Sequence, residues 1–188
     1  MEITEIISRI YNLPEPSKAK LIAGMTEISV PKGTLVISTA RVEGNVYFIK
    51  KGIVRAYSSF GDEEVTFWFG REGDTALSIM SYVAMQKSYE NIETLEDCIF
   101  YKLKTATLKG LYETDLDLAN WGRRLMEKEL VKTEGRLIAM QCKSAKDRYQ
   151  ELIAYSPDLL QRVKLTYLAS YLGITLVSLS RIRAGLGK

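Results

Sequence analysis

The spacing of apolar residues divides the chain into a β-rich first part and a helical second part. Near the start, Ile3, Ile6, Ile7 and Ile10 recur at helical spacing, and a second helix is expected over residues 18–25 with Ser17 as its cap. Short β-type runs then alternate with glycine-containing turns, a pattern typical of a sandwich or barrel. The expected strands span residues 34–38, 45–52, 53–59, 63–69 and 98–103, with a helix over 75–87 inserted between them.

A long helix is predicted over residues 115–143, after a short helical turn at 107–112. Along it, mostly apolar residues recur every seven positions, and two leucines form a companion row. Such a seam suits pairing with the same helix of a second subunit. The alternative is that this stripe packs on the β-rich part of the same chain. The expected dimer seam consists of Met126, Leu130, Thr133, Leu137 and Met140.

The stretch from Leu165 to Ala184 has the pattern of a helix-turn-helix. Leu168 and Leu172 lie on one face of a first helix, Gly173 suits the turn, and Thr175 stands where a second helix needs its N-cap. The second helix, over residues 175–186, would enter the major groove of DNA; an ordinary pair of helices joined by glycine is the alternative. The expected DNA-contacting residues are Thr175, Leu176, Val177, Ser178, Ser180, Arg181 and Arg183.

The distribution of charge agrees with nucleic-acid binding. The net charge is only +3, but from Lys143 onward the chain has eight basic and three acidic residues. The remainder of the chain is therefore slightly acidic. A basic excess beside the helix-turn-helix is what binding to phosphates requires.

The composition argues against several classes of enzyme and metal site. The chain has no histidine, and Cys98 and Cys142 are its only cysteines. Histidine catalysis, histidine-ligated haem, iron–sulfur clusters and structural zinc sites are therefore not expected. Two distant cysteines suggest reduced thiols in a cytoplasmic protein, and no apolar run approaches the length of a membrane span. We expect neither a cofactor nor enzymatic activity.

Four segments of the sequence carry a resemblance to a known family: YFIKKGIVRAY (47–57), GD (73–74), ETLEDC (93–98) and ASYLGIT with LSRIR (169–183). They resemble the cyclic-AMP receptor protein/Fnr (Crp/Fnr) family of bacterial transcription regulators, particularly its Bacteroides-type branch. The resemblance implies an α+β fold: an N-terminal β-roll of the cyclic-nucleotide-binding jelly-roll type, a dimerisation helix, and a C-terminal helix-turn-helix without a following wing. The implied domains are 1–104, 105–143 and 144–188. The implied partners are double-stranded DNA, a second copy of the chain and, as a further candidate, RNA polymerase.

The family's cyclic-nucleotide site is degenerate in this sequence. Relatives place Gly-Glu at the start of the inserted helix and Arg-Ser after it, to hold the ribose and the cyclic phosphate. Here the corresponding pairs are Leu77-Ser78 and Ser88-Tyr89, and a neighbouring lysine lacks the bidentate fork of arginine. Classical cyclic-AMP binding is therefore not expected, and the effector is unknown. The residues assigned to this pocket are Ala76, Leu77, Ser78, Lys87, Ser88, Tyr89 and Thr133.

The second helix of the helix-turn-helix also departs from the family pattern. Relatives commonly have Arg-Glu-x-x-x-Arg, but Leu176-Val177 replace the first pair and only Arg181 matches. These features leave two hypotheses for the function, from different classes of protein. The first is a homodimeric, sequence-specific DNA-binding regulator. The second is a ligand-binding or protein-interaction module whose helix-turn-helix no longer reads DNA. A metal-dependent β-barrel enzyme is a remote third possibility.

Overall fold

The computed structural model describes residues 1–61 and 63–186, which form two compact units. The first contains Met1–Ala56 and Phe69–Leu130; the second contains Tyr57–Trp68 and Val131–Lys188. The division between the units thus falls inside the longest helix, and the tip of one β-hairpin belongs to the second unit. The three-part division expected from sequence remains a prediction. Gly187 and Lys188, at the end of its last part, lie outside the described residues.

Two short helices begin the chain. Helix α1 (Ile3–Ile10) is present as expected and buries Ile6, Ile7 and Ile10, whereas Ile3 is half-buried. Helix α2 (Glu15–Ala23) begins three residues earlier than predicted. Pro16 lies in its first turn, where a missing N–H is harmless. Ser17 is therefore inside the helix and is not its cap. The Ser17 hydroxyl instead donates to the carboxylate of Asp115, at 3.0 Å.

Within the described part of the chain, eight antiparallel strands form two sheets, with orders β1-β8-β3-β6 and β2-β7-β4-β5. The five expected strands are present, and three others, β1, β6 and β7, were not predicted. The predicted inserted helix over 75–87 was too long, because residues 75 and 76 pair with β3 and only Ile79–Ala84 (α3) is helical. The strands are β1 Met25–Val30, β2 Leu35–Ile37, β3 Asn45–Lys51, β4 Val54–Phe60, β5 Glu63–Gly70, β6 Thr75–Ala76, β7 Asn91–Thr94 and β8 Cys98–Lys104.

The hydrophobic core of the first unit is centred on Trp121, which is completely buried. Its indole N–H donates to the carbonyl of Ile7 at 3.1 Å, and its ring lies 6.0 Å from that of Phe48. One residue further along the helix, Gly122 faces the ring of Tyr112 so closely that a Cβ would collide with it. The contact explains why a residue of poor helix propensity stands in the middle of this helix.

From residue 105 to residue 186, the chain forms six helices. Helix α4 (Thr105–Thr114) is longer than the turn predicted at 107–112, and α5 agrees closely with the predicted long helix. After α5 the chain breaks at Ser144, which begins a capping box. The Asp147 N–H donates to the Ser144 hydroxyl, and the Ser144 N–H donates to the Asp147 carboxylate, both at 3.2 Å. The helices that follow α4 are α5 Leu116–Cys142, α6 Ala145–Tyr155, α7 Leu159–Arg162, α8 Leu165–Tyr171 and α9 Leu176–Leu186.

Within the second unit, the β4–β5 hairpin is joined to α8 by side-chain hydrogen bonds. The hydroxyl of Ser170 accepts from the Thr66 N–H and donates to the Glu64 carbonyl, both at 2.9 Å. Arg136, from α5, donates to the carbonyls of Thr66 and Tyr171 at 3.3 Å each. Its guanidinium carbon also lies 4.0 Å from the centre of the Tyr171 ring.

Both cysteines are free thiols, Cys98 buried and Cys142 exposed at the end of α5. Across residues 1–61 and 63–186, no three or more carboxylates and cysteines are grouped so that they could hold a metal ion. No single helix in that part of the chain is long and apolar enough to cross a membrane, although the bent pair α8–α9 meets the length and composition requirements together.

Candidate nucleic-acid interface

Helices α8 and α9 form a helix-turn-helix, with an angle of 95° between them. The turn is a Schellman motif: the Ile174 N–H donates to the Ala169 carbonyl and the Gly173 N–H to the Ser170 carbonyl, at 3.0 Å each. Gly173 has φ +66°, the left-handed conformation that this motif requires. The glycine singled out in the sequence therefore sets the angle at which the second helix leaves the first.

The start of α9 is fixed by a side-chain cap. The hydroxyl of Thr175 accepts from the Ser178 N–H at 3.1 Å and lies 3.0 Å from the Ser178 hydroxyl. Ser178 is half-buried, whereas Thr175 is exposed. Both hydroxyls are thus already engaged in orienting the helix, and their predicted role as DNA contacts is untested.

The two faces of the helix-turn-helix differ sharply. Leu168, Ala169, Leu172 and Leu179 are buried, and Ile182 is half-buried, so the predicted inner face packs as expected. The opposite face of α9 is open to solvent. Its exposed members are Leu176, Val177, Ser180, Arg181, Arg183 and Ala184.

Two arginines give this exposed face its positive charge. Within residues 1–61 and 63–186, neither Arg181 nor Arg183 has a hydrogen-bond, ion-pair or ring partner, so both side chains are available to a ligand. Not all of the basic excess seen in the sequence is available in this way. Lys143 forms an ion pair with Glu151, and Arg148 donates to the backbone carbonyl of Leu172 at 2.7 Å.

The positions assigned to the degenerate effector pocket contain a compact polar network in the first unit. Ser78 caps α3 by accepting from the Ser81 N–H, and the Ser88 hydroxyl both donates to and accepts from the backbone of Glu90. The Glu90 side chain is buried, and its Oε2 has no hydrogen-bond partner. Burial raises the pKa of the Glu90 carboxyl, while hydrogen bonds from Ser88 and Ser78 oppose this effect.

A second buried carboxylate, Glu43, lies in the same unit. It accepts from the Asn45 side chain at 2.7 Å and from the Tyr47 hydroxyl at 3.3 Å, and Arg41 lies 3.5 Å away. Burial, with Glu43 next in effect, raises the pKa of Tyr47 to about 12. The buried side chains of Glu43 and Glu90, neither of which was assigned to the pocket from the sequence, add no positive charge that would hold an anionic phosphate.

The other positions assigned to the pocket have different surroundings. Ala76 is buried in β6, and Leu77 packs partly buried against the core, whereas Lys87 and Tyr89 are exposed. Thr133 lies on the part of α5 that belongs to the second unit and is exposed there. The functional assignment of these residues is untested.

The predicted dimer seam on α5 contains two kinds of residue. Met126 is half-buried and packs against the hydrophobic core of the first unit. Leu130 and Leu137 are 69% and 57% exposed, and Thr133 and Met140 are also exposed. The sequence analysis missed Val131 and Ile138, which are 67% and 50% exposed and repeat with the same spacing of seven. Every-seventh spacing was the signal that could have identified them.

Sequence comparison does not assign the chain to a family: no protein-family model matches it, and no curated protein matches it significantly. Solved structures do match. The c-di-GMP responsive global regulator CLP of Xanthomonas campestris has a TM-score of 0.73 and 17% sequence identity, over 93% of this chain and 92% of that one. FixK2 from Bradyrhizobium japonicum has a TM-score of 0.71 and 21% identity, over 87% and 84% of the two chains.

A third match is a protein from Eubacterium rectale described as a transcriptional regulator of the Crp/Fnr family. It has a TM-score of 0.70 and 19% identity, over 90% of this chain and 82% of that one. All three similarities extend over most of both chains, but at identities that establish a common fold only. The chain therefore has the α+β fold of these regulators, with a β-domain of the cyclic-nucleotide-binding type and a helix-turn-helix towards its C-terminal end.

Proposed function

We propose that this protein is a homodimeric, sequence-specific DNA-binding transcription regulator of the Crp/Fnr type. The observation that carries the proposal is α9: a capped helix at 95° to α8, whose outer face presents two arginines without intramolecular partners among the described residues. The fold shared with CLP and FixK2 supports the same function. Double-stranded DNA and a second copy of the chain are the proposed partners, and RNA polymerase is a further one.

Arg181 is the proposed base-reading residue. It lies between buried Leu179 and half-buried Ile182 but is itself exposed, near the middle of α9. From a helix in the major groove, its guanidinium can donate two hydrogen bonds to O6 and N7 of a guanine. Leu176 and Val177 offer apolar contacts to thymine methyl groups, and Arg183 is proposed to contact a phosphate.

We expect Arg181→Ala and Arg183→Ala to weaken DNA binding in different ways. Arg181→Ala should remove about 1–3 kcal/mol of discrimination at one base pair of each half-site. Arg183→Ala should weaken all sequences alike and lower the slope of log K against log salt by about one unit per contact. Binding to a panel of single-base variants of a selected site, at two salt concentrations, measures both effects.

Lys32→Ala is the matched control for this experiment, because it removes an exposed positive charge from the first unit. It should change neither the base preferences nor the salt slope. Unchanged base preferences in Arg181→Ala would show that the assigned role is wrong. If the wild-type protein binds no duplex in a salt-dependent manner, the alternative function as a ligand-binding or protein-interaction module is favoured, since Leu176 and Val177 make the exposed face of α9 unusually apolar.

We propose further that classical cyclic-AMP binding does not control this protein. Where the family has a glutamate and an arginine, Ser78 and Ser88 are buried and occupied with local hydrogen bonds. The buried side chains of Glu43 and Glu90 also supply no positive charge to a cyclic phosphate. A ligand that binds only the folded state raises the melting temperature by mass action.

Cyclic AMP at up to about 1 mM is therefore expected to leave the melting temperature unchanged. Differential scanning calorimetry with and without the nucleotide makes the measurement, and a selected DNA duplex provides the positive control for stabilisation by a ligand. A clear rise that disappears in a Ser88→Tyr variant would place cyclic AMP in this region and refute the proposal.

A further inference from the structure

The second unit contains a cleft of about 560 Å³ that is separate from the exposed face of α9. It is formed by the C-terminal part of α5, by α6, and by the end of α8. This volume is within the range of small-molecule binding sites. Cationic and aromatic side chains from all three helices line it, among them Lys132, Arg136, Arg148, Tyr155 and Tyr171.

Two guanidinium groups dominate the charge of this cleft. Arg136 donates to the backbone carbonyls of Thr66 and Tyr171, and its guanidinium carbon lies 4.0 Å from the centre of the Tyr171 ring. Arg148 likewise donates to backbone carbonyls, at 2.5 Å to Lys143 and 2.7 Å to Leu172. In the part of the chain that the structure describes, neither arginine forms an ion pair with a carboxylate.

The positive charge is therefore not neutralised within the cleft. The one acidic side chain that lines it, Glu151, forms an ion pair with Lys143. The Nε atom of Arg148 is buried and has no hydrogen-bond acceptor. Burial lowers the pKa of the Arg136 guanidinium; Tyr171 opposes this effect, and the nearby charge of Arg148 adds to it. An anion held by the two guanidinium groups would supply the missing negative charge.

The walls of the cleft indicate what else such an anion should carry. Ala139, Leu152 and Leu172 line it together with the rings of Tyr155 and Tyr171. A bare inorganic ion would leave this apolar surface in contact with water. A molecule with an apolar or aromatic portion beside its charged group would cover it.

We propose that this cleft binds a small organic anion, a carboxylate or phosphate ester with an apolar portion, held by Arg136 and Arg148. The site is distinct from the degenerate pocket of the first unit. Because binding is measured on the protein without DNA, the inference does not rest on the proposed reading of DNA by α9. The bound anion would contact Arg136, which also holds the β4–β5 hairpin and the end of α8.

Phenyl phosphate is the probe that tests this inference, with inorganic phosphate and phenol as its two halves. Isothermal titration calorimetry at constant ionic strength should show saturable binding of phenyl phosphate, and binding of either half weaker by on the order of tenfold or more. Arg148→Gln and Ala139→Phe should each weaken phenyl phosphate binding by about tenfold, by removing charge and by filling the cleft. Lys146→Gln removes an exposed charge from α6 outside the cleft and should change the affinity for phenyl phosphate by no more than roughly twofold.

Several results would overturn the inference. They are the absence of saturable phenyl phosphate binding, an affinity for phenol equal to that for phenyl phosphate, and phenyl phosphate binding that Ala139→Phe does not weaken. Ala139→Phe removes no hydrogen bond, so it decides the matter if Arg148→Gln fails to fold. If a DNA duplex displaces the probe, and the cleft variants weaken binding to every DNA sequence alike, the site is a DNA-phosphate contact and the proposed organic anion is wrong.

Discussion

Replacing Leu130 and Leu137 by lysine is expected to convert the proposed dimer to monomers and to weaken DNA binding by about two to four orders of magnitude. Both leucines are largely exposed on α5, seven residues apart, beside the equally exposed Val131 and Ile138. Large apolar side chains grouped on one helix are typical of a protein interface. In a two-fold symmetric pair, two substitutions per chain place four charges in that interface. Each monomer would then hold only one half-site.

Sedimentation equilibrium and DNA binding to a full and a half site measure the two effects. The matched control is Phe60→Lys with Val83→Lys, which adds the same charge at residues that are 70% and 68% exposed but lie outside α5. That variant should remain dimeric. An intact dimer after substitution of both leucines would place the interface elsewhere, and would favour the alternative that the stripe has no role in pairing.

Trp121→Ala is expected to lower the free energy of unfolding of the first unit by about 3–5 kcal/mol. The side chain is completely buried, lies beside Phe48, and donates its indole N–H to the Ile7 carbonyl, which also accepts from the Tyr11 N–H. Truncation therefore creates a cavity and removes one of the two hydrogen bonds to this carbonyl. Since α1 is joined to α5 by this hydrogen bond, the loss should also increase exchange of the amide hydrogens of α1.

Urea denaturation gives the stability, and Trp68→Ala is the control, because Trp68 is only half-buried and belongs to the second unit. Trp68→Ala should lower the free energy of unfolding clearly less than Trp121→Ala does. Trp121→Phe should lie between alanine and the wild type, because it keeps a ring but no donor. A loss below about 1 kcal/mol in Trp121→Ala would contradict the central place of this residue in the core.

The helix-turn-helix was predictable because local chemistry defines it. Gly173 and Thr175 act on their own backbone neighbourhood, through the Schellman turn and the N-cap, and both signals can be read in the sequence. The same holds for the strands rich in apolar residues. By contrast, β6 has only two residues, and the helix α7 only four, so neither gives a periodic pattern that can be recognised.

The candidate site was predictable only in part, because some of it depends on contacts between distant residues. The outward direction of Arg181 follows from helical spacing. The buried state of Glu90 and the cleft beside Arg136 do not, since isolated charged residues in a sequence usually lie in solvent. Arg148 illustrates the difference: it was counted in the basic excess beside the helix-turn-helix, and its guanidinium donates to backbone carbonyls at the end of α8 and after α5.

The contrast between the two thiols has a practical consequence. Cys98 is buried in the first unit, while Cys142 is exposed on the last turn of α5. A maleimide dye added to the unmodified protein should therefore attach at a single place, one residue before the capped break that leads to the helix-turn-helix. The natural sequence thus already provides a fluorescent reporter position, from which energy transfer to labelled DNA or to a second labelled subunit can be followed without introducing any mutation.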